Sequence, residues 1–175
     1  MRIPVFVSRP STLNERQEAS CEVIYRQLQD LNLEPRTLGR SDYPTEYPLR
    51  EVYGIAKHCS GGVVLGFEQF YSPAGIWKQG TASERKSDRP TIHPSPWNHL
   101  EAGILFAIRL PLLISRETDI VGGIFDNGVS DVFVHDMPHR DMGENELRGI
   151  RDVVLKWQAL VRAHYYRWEL GTKWG

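Results

Sequence analysis

The stretch 93-HPSPWNHLEAGILFAIRLPLLIS-115 decides how the chain is read. Ser95 is a residue type that caps helix N-termini, and Pro96 suits the first helical position, where no amide donor is needed. Apolar residues then recur at helical spacing as far as Ile108. Residues 110–115 follow as an apolar run of strand length. A helix thus passes straight into a buried strand. Leu100, Ile104, Ala107 and Ile108 form a stripe expected to face the core. Trp97 and Glu101, four residues apart, share the neighbouring face. Glu101 therefore stands at the border of the buried side, one turn in. A carboxylate placed there is partly desolvated, which raises its pKa and suits it to acid–base work, attack on a sugar carbon or stabilisation of an oxocarbenium ion. The alternative is an acid that only complements the helix dipole.

Outward from this stretch the same alternation repeats. Ile3–Ser8 (IPVFVS) reads as a first buried strand, and residues 14–31 as a helix with Ala19, Val23, Ile24, Leu28 and Leu31 on one face. Residues 33–38 read as a second strand, in which Pro35 favours a strand start or sheet edge. A loop over 40–48 leads to a helix over 49–58, carrying Leu49, Val52, Tyr53 and Ala56 on one side. Residues 63–66 (VVLG) make a third strand. The pattern then dissolves over 67–95, too long for an ordinary connection and thus expected to be functional or partly disordered. After the opening stretch come a Gly-rich turn segment over 119–130, a strand over 131–135 and a long helix over 144–168. Alternation of this kind predicts one α/β domain over residues 1–175: a flavodoxin-like three-layer sandwich with a five-stranded, mainly parallel sheet. Ligands in such folds bind at the carboxyl ends of the strands. The segments 8–13, 67–95 and 115–128 are expected to gather around one cleft there.

Composition narrows the partners. With 41% hydrophobic and 25% charged residues, the 175-residue chain matches globular protein. A formal net charge of −1 gives no reason to expect nucleic acid or an anionic membrane. No run approaches the ~18 apolar residues of a membrane span, and the first residues lack the apolar core of a signal peptide. Cys21 and Cys59 lie outside any CxxC spacing and are expected to be reduced core thiols of a cytoplasmic protein. His135 and His139 have HxxxH spacing, but Pro138 argues against the helix that this pattern needs, so no metal site is expected. GxGxxG, Walker-type GK[ST] and GxSxG motifs are all missing from the sequence.

Ser95, Trp97 and Glu101 resemble the catalytic helix of enzymatic Toll/interleukin-1 receptor (TIR) domains, where a small residue and a Trp precede a catalytic Glu. Glu101 followed by Gly103, with Ala107 and Pro111 further on, is similar to the matching segment of nucleoside 2-deoxyribosyltransferase-like proteins. The first strand, VFVSRPS, looks like the opening of both groups. The deoxyribosyltransferase pattern is less complete. After the third strand only Glu68 offers its acid, and 80-GTASE-84 echoes its GTxxE element with no helical pattern behind it.

The resemblance implies cleavage of an N-glycosidic bond: release of nicotinamide from NAD+, with hydrolysis, cyclisation or transfer of the ADP-ribose, in antiphage defence or signalling. NAD+ is then the substrate and no cofactor is expected. Glu101 is the expected catalytic residue. Phe6, Ser8, Arg9, Phe67, Phe70, Tyr71, Trp77, Ser95, Trp97 and Asn98 are the expected substrate-binding residues, with Arg9 on a phosphate and the loop aromatics stacking the base. Asp126 and Asn127 sit in the Gly-rich turn, as ligands or as turn formers. Deoxyribosyl transfer, nucleotide N-glycosidase activity and a non-catalytic sensing or assembly module stay open beside NAD+ cleavage. A homo-oligomer or partner-activated assembly is expected, and Tyr165, Tyr166 and Trp168 at the end of the last helix are candidate contacts or a lid.

Overall fold

The computed structural model describes residues 2–38 and 47–172, with side chains through Arg167. Most of the loop expected over 40–48, and the side chain of Trp168, lie outside the described residues.

Strand β1 (Ile3–Ser8), helix α1 (Glu15–Asp30), strand β2 (Leu33–Arg36), helix α2 (Pro48–Lys57) and strand β3 (Gly62–Gly66) open the fold. Four short strands follow: β4 (Phe70–Ser72), β5 (Ile76–Trp77), β6 (Arg85–Lys86) and β7 (Thr91–His93). Helix α3 (Pro96–Ala107), strand β8 (Leu112–Arg116), a 3-10 turn (Gly123–Phe125), strand β9 (Val134–Asp136) and helix α4 (Glu144–Thr172) complete it. The main sheet has the order β2-β1-β3-β8-β9, and every pairing is parallel. This is the expected flavodoxin-like α/β architecture, with a sheet wholly rather than mainly parallel. The strand order reverses between β1 and β3, the place where such sheets open a crevice.

Strand alternation sorts the core into two sides. Val5, Val7, Val63, Leu65 and Leu113 pack with Ile24 and Leu28 of α1 and with Val154, Trp157 and Val161 of α4. Phe6, Val64, Leu112 and Ile114 pack with Val52 and Ala56 of α2, Ala102 and Leu105 of α3, and Phe125. The Trp157 indole N–H donates to the Pro111 carbonyl at 3.0 Å, fixing α4 to the start of β8. Pro35 lies in β2, the edge strand, as its missing N–H requires.

Three expectations change. The core-facing side of α3 is Asn98, Glu101, Ala102 and Leu105, whereas Leu100 is half exposed and Ala107 is exposed. Ile104 and Ile108 of the expected stripe do pack against the core from its margin, but the centre of the buried face is one residue off, because two polar side chains occupy buried positions. The last strand is three residues, beginning at Val134 rather than 131. The 67–95 segment is not a featureless loop. β4 pairs antiparallel with β7, and β5 with β6, forming a two-step ribbon between β3 and α3. Its strands are two or three residues long and largely exposed, so they leave no periodic apolar signal.

Gly66 ends β3 beneath Phe125, and a Cβ there would meet the Phe125 ring at 2.5 Å. Gly66→Ala is expected to destabilise the fold by about 1–3 kcal/mol through overpacking, measured as a lowered urea midpoint with an unchanged slope.

Candidate active site

Asn98, on the first turn of α3, is 1% exposed. Its side-chain amide donates to the Ser8 hydroxyl at 2.9 Å and to the Leu65 carbonyl at 3.3 Å. Ser8 ends β1 and Leu65 lies in β3, so one amide ties α3 to both strands at the reversal of strand order. The Ser8 hydroxyl oxygen accepts from Asn98, which leaves its O–H to bond the Glu101 carboxylate. Ser95 caps the helix as the sequence suggests, its hydroxyl accepting from the Trp97 N–H at 3.2 Å. That cap and Pro96 fix where α3 begins, and hence which residues turn inward.

Glu101 is 6% exposed, yet it reaches a cleft of about 590 Å³. Arg9, Pro10 and Ser11 after β1 line this cleft, with Thr37 and Leu38 after β2, Pro48, Gln69, Ser95 and Trp97. Burial raises the Glu101 pKa, and the Ser8 hydrogen bond opposes that rise in part. Asn98 Oδ1 is buried without a partner among the described residues. Such an unmet acceptor is unfavourable in a core and typical of sites built for something other than stability.

Of the residues expected from sequence, Arg9, Ser95, Trp97 and Glu101 meet at the cleft, with Ser8 and Asn98 directly behind Glu101. Arg9 is already engaged: its guanidinium lies 3.0 Å from the Glu18 carboxylate and 5.9 Å from the Tyr25 ring centroid. A phosphate would share this cation with Glu18. Phe6 and Phe67 are fully buried, so neither can stack on a base. Phe6 belongs to the core beneath α2 and α3, and Phe67 faces α1 and α4 on the opposite side of the sheet. Phe70, Tyr71 and Trp77 are exposed on the ribbon and do not line this cleft. Phe70 and Trp77 instead sit 6.2 and 6.4 Å from the His93 ring, and Arg85 lies over Trp77 at 5.6 Å.

The 115–128 segment also departs from expectation. It packs against α3 through Phe125 and His99, whose ring centroids are 5.5 Å apart, rather than lining the Glu101 cleft. Asp126 shapes its turn, accepting from the Gly122 N–H at 2.7 Å. The third wall comes instead from Thr37, Leu38 and Pro48, and the parallel-sheet rule, applied to β2 as it was to β1, would have found the first two. A link invisible in sequence anchors the ribbon: the Glu117 carboxylate accepts from the Glu68 N–H at 2.6 Å and from Gln17 Nε2 at 3.1 Å. The 80–84 echo is a hairpin tip, where the Glu84 carboxylate accepts from the Gly80 N–H at 2.6 Å. Cys21 and Cys59 are buried and free. Among the described residues no cluster of three or more His, Cys, Asp or Glu is arranged to hold a metal, and no helix is long and apolar enough to cross a membrane.

Because the folded pKa of Glu101 is raised, its ionisation opposes folding. Stability is free of that penalty below the unfolded pKa and is lost as pH rises through the window up to the folded pKa. Glu101→Gln is therefore expected to raise the melting temperature by a few degrees at pH 7 and by almost nothing near pH 4, a difference that thermal melts at the two pH values measure. No protein-family model, curated protein or solved structure matches this chain.

Proposed function

We propose that the protein cleaves the N-glycosidic bond of NAD+, with Glu101 as the catalytic carboxylate. The observation that carries this reading is a nearly buried carboxylate that still lines a cleft, held by Ser8 at the point where strand order reverses. The bond between the ribose C1′ and the pyridinium nitrogen breaks with its electron pair passing to nitrogen. The ring leaves as neutral nicotinamide, so its departure needs no proton. Positive charge develops on the ribose, and a desolvated carboxylate stabilises it strongly or attacks C1′ directly. Water, or a hydroxyl or base acting as acceptor, then takes the ADP-ribosyl group. Trp97, 42% exposed beside Ser95, is the flat surface available to the nicotinamide or ribose. Arg9 faces the phosphates. The resemblance of Ser95, Trp97 and Glu101 to enzymatic TIR domains supports the same reaction, and a role in antiphage defence or signalling belongs with it.

The ribbon bears on the runner-up. Deoxyribosyl transfer would draw support from a helix after 80-GTASE-84, and that segment is a turn, so base exchange is the weaker reading.

Incubation of purified protein with NAD+, and separately with deoxynucleosides, followed by chromatography, tests the proposal. Nicotinamide release that falls by roughly 10²–10³-fold or more in Glu101→Gln, with the fold retained, is the expected result. NAD+ binding without turnover under all conditions would replace cleavage with sensing, and base exchange would replace it with transfer.

The pH profile follows from the buried carboxylate. Glu101 must be ionised to act, and its pKa lies above the ordinary 4.5. Activity should fall as pH drops through that raised value. Ser8→Ala removes the hydrogen bond that opposes the rise, so its acid limb should move to higher pH.

A further inference from the structure

A second cavity lies across the sheet from Glu101. It has a volume of about 250 Å³ and sits between α1, β8 and α4. Ile24, Leu113, Ile150, Val153 and Val154 form its walls, and Val154, Ile24 and Leu113 are at most 6% exposed. The cavity is a half-open groove with a mainly aliphatic floor, the kind of concavity in which a small ligand can bury apolar surface. Its size selects the occupant. An apolar cavity of about 150 Å³ accepts a single benzene ring, so this one suits a fused bicycle and is too small for a helix or strand of another protein.

The rim carries the second signal. Asp136, at the end of β9, and Glu146, on the first turn of α4, both line the cavity. No lysine or arginine does so among the described residues, and His135, which also lines the cavity, is shifted by burial toward its neutral form. The unbalanced charge is therefore negative, and its complement is a cation. The third signal is Gly149, inside α4 and also on the rim, where a Cβ would meet nothing within 4 Å. Glycine is unfavourable in a helix interior relative to alanine, and here the fold itself gives it no steric reason. It leaves the helix backbone open to close approach from the mouth of the cavity.

We propose that this cavity binds a small arylalkyl ammonium ion, its aromatic body against Ile150 and Val153 over the buried floor of Ile24, Leu113 and Val154, and its charged end at Asp136 and Glu146. The site is independent of the Glu101 reaction, since it opens on the other face of the sheet.

Titration calorimetry with three probes tests it: tryptamine, neutral 3-methylindole and anionic indole-3-propionate. Tryptamine should bind at least fivefold more tightly than either of the others. Gly149→Leu should abolish its binding while raising the melting temperature, because leucine favours the helix and plugs the mouth. Asp136→Asn with Glu146→Gln should bring tryptamine and 3-methylindole to equal affinity, with the fold checked by circular dichroism. The substituted Gln can still accept from the Gly143 N–H, as Glu146 does at 2.8 Å. Equal affinity of all three probes for the unaltered protein, preference for the anion, or no binding of tryptamine would each overturn the proposal. So would tight tryptamine binding by Gly149→Leu.

Discussion

The side-chain amide of Asn98 is the constraint on which the site depends. Its two N–H groups are spent on Ser8 in β1 and on the Leu65 carbonyl in β3. These are the strands between which the sheet reverses its order. Satisfying both acceptors fixes the rotation of α3 about its own axis. One turn further, that rotation turns Glu101 inward to the Ser8 hydroxyl, and Leu100 outward. A helix rotated to bury its most apolar stripe would have left Glu101 in water as an ordinary dipole partner. The fold accepts a desolvated acid and an unmet Asn98 carbonyl oxygen in exchange for a carboxylate of altered acidity at the floor of a cleft.

Much of the fold was legible because its strands are buried on both sides. Ile3–Ser8 and residues 63–66 are continuous apolar runs, and such runs separated by amphipathic helices leave few topologies other than a parallel sheet. Val134–Asp136 was misplaced because a three-residue edge strand of half-exposed residues carries little pattern. The ribbon was not legible at all. Its pairing rests on backbone hydrogen bonds and on anchors such as Glu117 to the Glu68 N–H, and neither leaves a trace in side-chain periodicity.

The site was legible to a different degree at each residue. Ser95, Pro96 and the four-residue step from Trp97 to Glu101 bring these side chains to one cleft, since capping and helical geometry are local, although Glu101 is more deeply buried than a border position implies. The aromatics misled for a physical reason. A ring at a strand end serves equally as core or as stacking surface, and only the parity of the strand decides which. Phe6 and Phe67 fall on opposite parities and are buried on opposite faces, whereas Ser8 shares the parity of Phe6 and so emerges beside α3. Arg9 lines the cleft, but its pairing with Glu18 depends on the docking of α1 and could not be read from the strand that precedes it.

The edge strand β2 has a further consequence for how copies of the chain can meet. Ile3 donates its N–H to the Asn32 carbonyl, so alternate residues from Asn32 turn their backbone groups toward β1, while Pro35 turns outward with no hydrogen to offer. Glu34 and Arg36 flank it as an ion pair with N–O distance 2.9 Å. The opposite edge ends in a strand of only three residues. Neither border gives a neighbouring polypeptide a continuous ladder to extend, which guards the sheet against open-ended stacking into fibres. Edge-to-edge growth of the sheet is thereby disfavoured, so contacts through helix or ribbon surfaces face little competition from added strands.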